Sequence, residues 1–360
     1  MTIKKEDLTK STSINVTDNR NGEITKVVHV KETQIGLTSD PKNLTVTGNS
    51  TVTGNSTVTG NLIVTGSLSL TGPAVIQTLS TLLNSSVVGH RLTLTTATPI
   101  TTADVATSST LYLTQHTSNM ISLYNGSLWV IRQTNEVSKT LSGLTSAKNY
   151  DVFAAWTSGA VVLELVVWTN DTTRATALAR QDGVFVKTGD ATRRYVGTIR
   201  TISTTATTDT VTQRYVWNCY NRIIRKLKIT EATNSWVYNT KTWRQTRATA
   251  TNKFEYVVGL SENPISVVAY GLAICSGGAT AMGSGIGIDS TTINSADVFG
   301  VNIVTTHAIA ADAPYTGYPG LGYHAINWLE SAGGVATTTW YGNAGDSTFF
   351  QSGMKGEILG

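Results

Sequence analysis

Residues that commonly bind metals or transfer protons are sparse in this chain. The histidines and cysteines are His29, His90, His116, His307, His324, Cys219 and Cys275. No two histidines have the His-x-x-x-His or His-Glu-x-x-His spacing of a metal-binding helix, and the cysteines do not form a Cys-x-x-Cys pair. His307 and His324 could still meet in the fold and bind a metal ion, but ordinary surface or hydrogen-bonded histidines are expected. We therefore predict no metal and no cofactor.

Hydrolysis would require an activated nucleophile or two carboxylates. The stretch GSGIG (residues 283–287) has its serine at the second position, so it is not a Gly-x-Ser-x-Gly nucleophile elbow. A polysaccharide depolymerase would hold two carboxylates about 5 Å or about 7 to 9 Å apart. The isolated acids that could supply such a pair are Glu164, Asp171, Glu255, Asp289, Asp297, Asp312 and Glu330. Sequence spacing does not pair them, so we predict that the chain is not an enzyme, with a depolymerase as the alternative.

One basic segment is interleaved with aromatic residues. Its members are Arg193, Arg194, Arg200, Arg214, Arg222, Arg225, Lys226 and Lys228, with Tyr195, Tyr215, Trp217 and Tyr220 between them. Such a pattern could hold single-stranded nucleic acid or an acidic lipopolysaccharide. We favour half-buried strands on which some arginines pair with carboxylates across subunits. The formal net charge is only +4, so no nucleic-acid partner is predicted.

The run YTGYPGLGYHAINWLE, residues 315–330, concentrates aromatic residues among glycines. Flat aromatic faces on loops can stack on sugar rings, and tyrosine hydroxyls can hydrogen-bond to sugar hydroxyls. The candidate glycan-binding residues are Tyr315, Tyr318, Tyr323, Trp340 and Tyr341. Packing within the domain or at a trimer interface is the alternative, and Trp328 is expected to lie in the core.

Composition indicates the class of scaffold that must position these residues. Hydrophobic residues make up 40% and charged residues 14% of the 360 positions, which favours β-structure with neutral polar surfaces. The start MTIKKEDLTKSTS lacks the apolar core of a secretory signal, and no run of about 18 apolar residues occurs. We therefore expect an all-β protein with no membrane insertion that is made and kept in the cytoplasm or leaves the cell by lysis.

A six-residue motif repeats between residues 43 and 72, in a stretch that begins NLTVTGNSTVTGNSTVTGNLIVTG. Alternate residues of an extended chain share a face, so valine, leucine and glycine lie on one side and Thr and Asn on the other. Five hexads are too few for a single chain to bury that face, whereas three identical chains could meet on a three-fold axis. The predicted axis residues of this β-shaft are Leu44, Val46, Val52, Val58, Leu62, Val64, Leu68 and Leu70. The alternatives are a hexapeptide acyltransferase and a disordered linker.

The stretch GPAVIQTLSTLLN follows the repeat. Pro73 suits the first turn of a helix, and the apolar residues after it follow the i, i+3, i+4, i+7 spacing of a helical stripe. So short a helix is marginal in one chain but stable as a trimeric coiled-coil neck. Its predicted axis residues are Ile76, Leu79 and Leu83. A helix that lies on the following domain is the alternative.

The remaining chain has the pattern of short strands separated by turns. The turn signals include Asn125-Gly126, Ser158-Gly159, Asp182-Gly183 and Gly189-Asp190. The predicted organisation is an attachment arm (1–41), the β-shaft (42–72), the neck (73–86), an antiparallel β-sandwich that resembles a jelly roll (87–230) and a C-terminal β knob domain (231–360).

This layout resembles the trimeric fibres and receptor-binding proteins of tailed bacteriophages. The stretches LTSAKNYDVFAAW and TRRYVGTIRTIS…RYVWNCYNR also look like segments of phage virion proteins, and the resemblance covers about residues 43–230. It implies a homotrimer, placement on the virion and binding of a host-surface glycan or protein. We therefore expect a structural tail or head fibre whose N-terminal arm contacts other virion proteins and whose C-terminal domains bind the host surface or neighbouring virion proteins. The alternatives are a tailspike-type polysaccharide depolymerase and a non-viral adhesin.

Overall fold

The computed structural model describes residues 13–17, 24–29, 85–299, 302–304 and 306–360, with the backbone alone for 13–17, 24–29 and 302–304. The regular structure of these residues is β-strand, apart from one 3-10 turn at Thr246–Ala248. The predicted all-β class with antiparallel sheets is confirmed. The predicted shaft, residues 73–84 of the neck and every predicted axis residue lie outside the described residues, so the trimeric shaft stays a prediction.

The chain divides into two compact units, Met1–Ser69 and Leu70–Gly360. In the first unit, β1 (Ser13–Thr17) pairs antiparallel with β2 (Ile24–His29). The register has an irregularity between Val16 and Thr17. Strand β2 falls in the run ITKVVHVKE, where the alternation of apolar and polar residues predicts a strand.

The first half of the larger unit forms three sheets of its own and contributes β4, β14 and β15 to a sheet of the second half. Its strands are β3 (His90–Thr93), β4 (Val105–Ser108), β5 (Thr110–Gln115), β6 (Met120–Tyr124), β7 (Trp129–Gln133), β8 (Val137–Thr140), β9 (Asn149–Thr157), β10 (Ala160–Val167), β11 (Leu178–Gln181), β12 (Val184–Lys187), β13 (Asp190–Arg200), β14 (Thr207–Asp209), β15 (Gln213–Arg214) and β16 (Val216–Asn218). One sheet has the order β3-β5-β8 and another joins β6 to β7. The third has the order β10-β9-β13-β12-β11, with β16 paired to β13.

These three sheets enclose one hydrophobic core. The six-stranded sheet supplies residues such as Val152, Leu163 and Ile199, and the two smaller sheets supply Leu111 and Ile121 among others. Alternation along the strands places these side chains on one face of each sheet. The first half is therefore a sandwich in which β3-β5-β8 and β6-β7 pack against the six-stranded sheet.

The second half forms two larger sheets. Its strands are β17 (Ile224–Thr230), β18 (Ser235–Val237), β19 (Arg244–Gln245), β20 (Lys253–Val258), β21 (Ile265–Ser276), β22 (Thr280–Ile288), β23 (Asn302–Val304), β24 (Ile309–Gly317), β25 (Gly322–Ala332), β26 (Thr337–Tyr341) and β27 (Gly353–Leu359). One sheet has the order β17-β27-β21-β26-β18, with β24 on β21. The other has the order β23-β22-β25-β20-β15-β14-β4, with β19 on β25. Within it β15 and β20 run parallel.

The two sheets of the second half face each other across a second core. Leu227, Val267 and Met354 come from one sheet, and Phe254 and Trp328 from the other. The predicted core position of Trp328 is confirmed, since it is 1% exposed. A jelly-roll-like strand order stays a prediction.

Strand pairing crosses the predicted domain boundary between residues 230 and 231. Strand β17, which precedes that boundary, pairs along its whole length with β27. Strand β15 pairs with β20, which lies beyond it. The boundary stays a prediction, but the sheets of the C-terminal sandwich include strands from both sides of it.

Hairpin turns occur where the sequence predicts them. Ser158 and Gly159, with φ of 51° and 83°, connect β9 to β10. Asp182 and Gly183, with φ of 51° and 82°, connect β11 to β12. Positive φ at both central residues is the requirement of a type I′ turn, which matches the twist of the strands that it joins.

Candidate functional site

Trp156 is the large aromatic side chain that the first sandwich leaves accessible at the end of a central strand. It lies in β9, just before the Ser158-Gly159 turn, and 37% of its surface is exposed. Across the hairpin it pairs with Val161, which is buried. The backbone around the indole is therefore fixed by the hairpin.

The indole forms part of a groove of about 480 Å³, which we call the Trp156 groove. The groove is lined by Gln133, Thr134, Asn135, Glu136, Val137, Ser138, Trp156, Gly159, Ala160 and Val161. Strand β8 is the edge of one sheet and β10 is the edge of the opposite sheet, so the groove lies where the two layers of the sandwich end side by side. Its volume is in the range of small-molecule sites, about 300 to 1,000 Å³.

Arg132 orients the indole. Its guanidinium carbon lies 4.2 Å from the centroid of the Trp156 ring. A cation over an indole face is attracted by the ring quadrupole, an interaction of about 0.5 to 2 kcal/mol. The arginine covers part of the aromatic surface, and the exposed part remains available to a ligand.

Polar side chains along the groove are available to a ligand. Asn135 accepts a hydrogen bond at Oδ1 from Gln115 Nε2 over 3.4 Å, and its NH₂ group donates to no residue that the structure describes. The side chains of Gln133 and Ser138 form no hydrogen bond within the part of the chain that the structure describes. A partly exposed indole beside amides and a hydroxyl that have no partner among the described residues is suited to a sugar, which offers C–H groups on one face and hydroxyls at its edges.

Glu136 is the carboxylate of the groove, and it is held in place. It accepts hydrogen bonds from Thr114 Oγ1 at 2.5 Å, Thr96 Oγ1 at 2.6 Å and the Ala97 amide at 2.6 Å. Burial raises the pKa of Glu136, but the bonds from Thr114, Thr96 and Ala97 outweigh it and bring the pKa below its usual value. The carboxylate is thus ionised and bound to the loop at residues 96–97.

The five aromatic residues predicted to bind glycan do not form one exposed patch. Trp340 is 1% exposed and packs in a core cluster with Cys275 and Met282, so its prediction as a glycan contact is wrong. Tyr315 and Tyr341 are half-buried in strands β24 and β26. Tyr318 is 63% exposed and keeps an accessible ring.

Tyr323 is engaged by neighbouring residues on its face and at its hydroxyl. The guanidinium carbon of Arg200 lies 3.7 Å from the centroid of its ring, and its hydroxyl donates to Glu255. Burial and the Glu255 carboxylate raise the pKa of Tyr323 above its usual range. These contacts cover the ring, so they favour the packing alternative at this position.

The arginines of the basic segment pair with carboxylates of the same chain. The pairs are Arg193–Glu164 at 2.8 Å, Arg200–Asp171 at 2.8 Å, Arg214–Asp209 at 3.0 Å, Arg222–Glu262 at 2.8 Å and Arg225–Asp209 at 2.6 Å. Arg194 instead donates to the carbonyls of Ser85 and Ser122. The arginines of this segment that lie on strands are buried or half-buried, as expected. The five pairs lie within one chain, and pairing of arginines across subunits stays a prediction.

Most of the carboxylates singled out in the sequence are similarly occupied. Glu330 accepts from Trp236 and Arg244, and Asp289 pairs with His324 at 2.8 Å. His324 is buried, whereas His307 is exposed. Among the described residues no group of three or more His, Cys, Asp or Glu side chains could hold a metal ion.

The sequence predicts a strand at Trp156 but gives no direct indication of a site. The available signal is a tryptophan directly before a Ser-Gly turn, at a position where the ring can extend past the end of the sandwich. The polar side chains of the groove lie about 20 residues earlier, and the packing of the β8 edge against β10 of the opposite sheet brings them near.

Comparison with known proteins does not place the chain in a family. No family model and no curated protein matches it. A chain in the structure of infectious bursal disease virus Gx strain is 12% identical, with 73% of each chain covered and a TM-score of 0.28. The insecticidal delta-endotoxin Cry8Ea1 of Bacillus thuringiensis is 9% identical, with 78% of this chain and 55% of that chain covered and a TM-score of 0.22. BuGH86wt in complex with neoagarooctaose is 10% identical, with 70% of this chain and 32% of that chain covered and a TM-score of 0.19.

The described residues contain no helix with the length and apolar character to span a membrane.

Proposed function

We propose that the chain is a structural bacteriophage fibre that attaches to a host surface by binding a glycan in the Trp156 groove. The observation that carries the glycan-binding part is the exposed indole of Trp156 beside amide and hydroxyl groups that have no hydrogen-bond partner in the described part of the chain. The fibre part depends on the hexad repeat of residues 43–72 and on the resemblance that it carries. A homotrimer on the virion, with the N-terminal arm contacting other virion proteins, completes the proposal.

Within this groove, aromatic stacking and hydrogen bonding would recognise different parts of the sugar. The indole of Trp156 would cover the C–H face of a pyranose ring, while the amide of Gln133 and the hydroxyl of Ser138 would bond to its hydroxyls. The Asn135 NH₂ group adds a donor on the same side. Because Arg132 and the hairpin fix the indole before a ligand arrives, little conformational entropy is lost on binding.

The charges in the groove favour binding over hydrolysis. Glycoside hydrolysis uses two carboxylates across the scissile bond, whereas the described lining of the groove includes one, Glu136. That carboxylate has three donors and a lowered pKa, and a general acid requires a raised pKa. We therefore propose a non-enzymatic protein.

Weak binding at one groove is sufficient for attachment if the fibre is trimeric. Three linked copies raise the effective concentration of the second and third binding events, so that avidity can exceed the single-site affinity by about 10² to 10⁴. The shaft, which holds three chains in register, would then be as important for attachment as the groove.

Binding to polysaccharide from a susceptible host tests this proposal. We expect the purified protein to bind the immobilised polysaccharide, Trp156→Ala to reduce binding at least about tenfold, and Thr157→Ala, an exposed neighbour, to leave binding unchanged. Equal binding by Trp156→Ala would remove the groove from the proposal. Shortened oligosaccharides after incubation would establish the depolymerase instead.

A further inference from the structure

A second cleft lies on the C-terminal sandwich. It has a volume of about 240 Å³ and a mainly apolar lining, and Trp243 forms its wall. Small residues of β22 and of the end of β25 form its floor, among them Ala281, Gly283 and Gly333. We call this feature the Trp243 cleft. It is smaller and less polar than the Trp156 groove, so it would accept a different chemical group.

The alternation along β22 explains the small floor. Met282 and Ile286 are completely buried in the cores, and the residues of odd number on this strand point to the other face of the sheet. Those residues are Ala281, Gly283, Gly285 and Gly287. The glycine-rich stretch GSGIG therefore has a structural reason, since it removes side chains from the face on which Trp243 lies.

Two contacts fix the orientation of the Trp243 indole. Phe299 meets it edge to face, with ring centroids 5.6 Å apart and an interplanar angle of 86°. A Cβ atom on Gly285 would lie 2.8 Å from Trp243 Cζ3, so the indole rests directly on the backbone of β22. The aromatic wall is consequently formed before any ligand binds.

The rim of the cleft carries an unpaired positive charge. Lys241 is exposed and forms no ion pair with any residue that the structure describes. The nearby carboxylate Glu330 is already bound to Arg244 and Trp236. Ser331, at the edge of the cleft, has a half-buried hydroxyl that could bond to a ligand.

From this geometry we propose that the Trp243 cleft binds a sugar residue that carries both a carboxylate and an N-acetyl group. The acetamido methyl would pack against the Trp243 indole, above the floor at Gly283, where no side chain obstructs it. The acetamido N–H or carbonyl would bond to the Ser331 hydroxyl, and the carboxylate would lie by the Lys241 ammonium. Charge complementarity selects an anionic sugar over a neutral one. This inference rests on the proposed glycan-binding function and specifies a second ligand chemistry for it.

A small acidic probe tests the inference directly. The probe is the methyl α-glycoside of N-acetylneuraminic acid, and its matched control is the same glycoside with the carboxylate as a methyl ester. Ligand-observed NMR titration of the full chain should show the acid binding about fivefold more tightly than the ester, the ratio expected for one exposed charge pair. Lys241→Ala should make the two affinities equal.

Two further variants address the apolar part of the cleft. Trp243→Ala should weaken binding of the acid at least about tenfold. Ala281→Leu keeps the indole but fills the floor, and it should do the same, so that loss of folding in one variant leaves the other as a test. Lys355→Ala, which removes an exposed lysine of β27 outside the cleft, should leave binding of this probe unchanged. Thermal unfolding of each variant identifies any that fail to fold.

Equal binding of acid and ester by the unaltered chain, or binding that survives both cleft variants, would overturn the inference. Binding of an apolar peptide in the cleft in preference to the acid would overturn it as well, because it would indicate a protein partner. The proposed function is tested separately, since attachment to host polysaccharide depends there on Trp156. If the chain binds host polysaccharide through Trp156 but does not bind the probe, only the proposal for the Trp243 cleft is refuted.

Discussion

The Arg174 guanidinium forms a two-pronged ion pair with the Asp151 carboxylate, from Nε to Oδ2 at 2.5 Å and from Nη2 to Oδ1 at 3.1 Å. Nη2 also donates to the Gly259 carbonyl at 2.6 Å. Asp151 and Arg174 belong to the first sandwich, and Gly259 follows β20 in the second. One guanidinium therefore joins a buried carboxylate of one sandwich to the backbone of the other.

Removing either partner of this pair should destabilise the protein strongly. The side chains are 2% and 10% exposed, and an unpaired charge buried to this degree typically costs about 3 to 5 kcal/mol. We expect Arg174→Met to lower the free energy of unfolding by that amount in urea titrations. The double variant with Asp151→Asn should lose less than the sum of the two single variants, because it leaves no unpaired charge. Strict additivity would contradict a direct coupling.

Close packing at the same junction gives a second prediction. A Cβ atom on Gly259 would lie 2.1 Å from the Tyr195 hydroxyl and 2.4 Å from Trp217 Cε3. Both rings are buried in the cluster between the sandwiches, so they have little room to move. Gly259→Ala should therefore cost about 1 to 3 kcal/mol by overpacking. Ser261→Ala, two residues away and exposed, is the matched control. An unchanged melting temperature for Gly259→Ala would mean that the junction can open.

Acid should weaken the C-terminal sandwich through Glu231. Burial raises the pKa of this carboxyl, but donors from Asn252, Arg247 and Thr233 outweigh it and lower the pKa to about 2. A carboxyl whose pKa is lower in the folded state stabilises the fold above its unfolded pKa of about 4.3, and this contribution is lost as the pH falls toward 2. Its size is about 1 to 2 kcal/mol after allowance for solvent screening.

The test compares Glu231→Gln with the unaltered chain across pH. At pH 7 the variant should be less stable by that amount in urea titrations, and the difference should shrink between pH 4.5 and pH 2. A difference that stays constant with pH would show that the loss comes from packing or from neutral hydrogen bonds and not from the charge.

The local features of this fold could be predicted from the sequence, whereas the positions of its side chains between sheets could not. The Ser158-Gly159 and Asp182-Gly183 turns were predictable because positive φ is a property of a few adjacent residues. Trp340 was assigned wrongly because its burial depends on Cys275 and Met282, which lie on strands that are far from it in the sequence. A period of two residues gives the face of a strand that a side chain occupies, but not which face another sheet covers.

The same limit applies to the candidate site. Trp156 and Gln133 belong to strands of two different sheets, and only the packing of those sheets brings them to one groove. The basic segment was easier to interpret, since alternation of arginine with aromatic residues indicates half-buried strands. That Arg214 and Arg225 both pair with Asp209 could not be predicted, because strand pairing sets the distances.

The last prediction concerns the hexad repeat, which lies outside the described residues. If valines of three chains meet on a common axis, Val52→Asp with Val58→Asp would place three carboxylates in each of two layers without counter-charges. A buried charge without a partner costs several kcal/mol, so the double variant should give monomers or aggregates in size-exclusion chromatography with light scattering. The matched control is Thr51→Asp with Thr57→Asp, which adds the same charges to the opposite face of the strand and should leave a trimer. Because attachment by weak sites depends on avidity, the valine variant should also lose binding to host polysaccharide while each groove keeps its single-site affinity. A trimeric valine variant would mean that these valines do not face the axis, and a monomeric unaltered chain would refute the shaft itself.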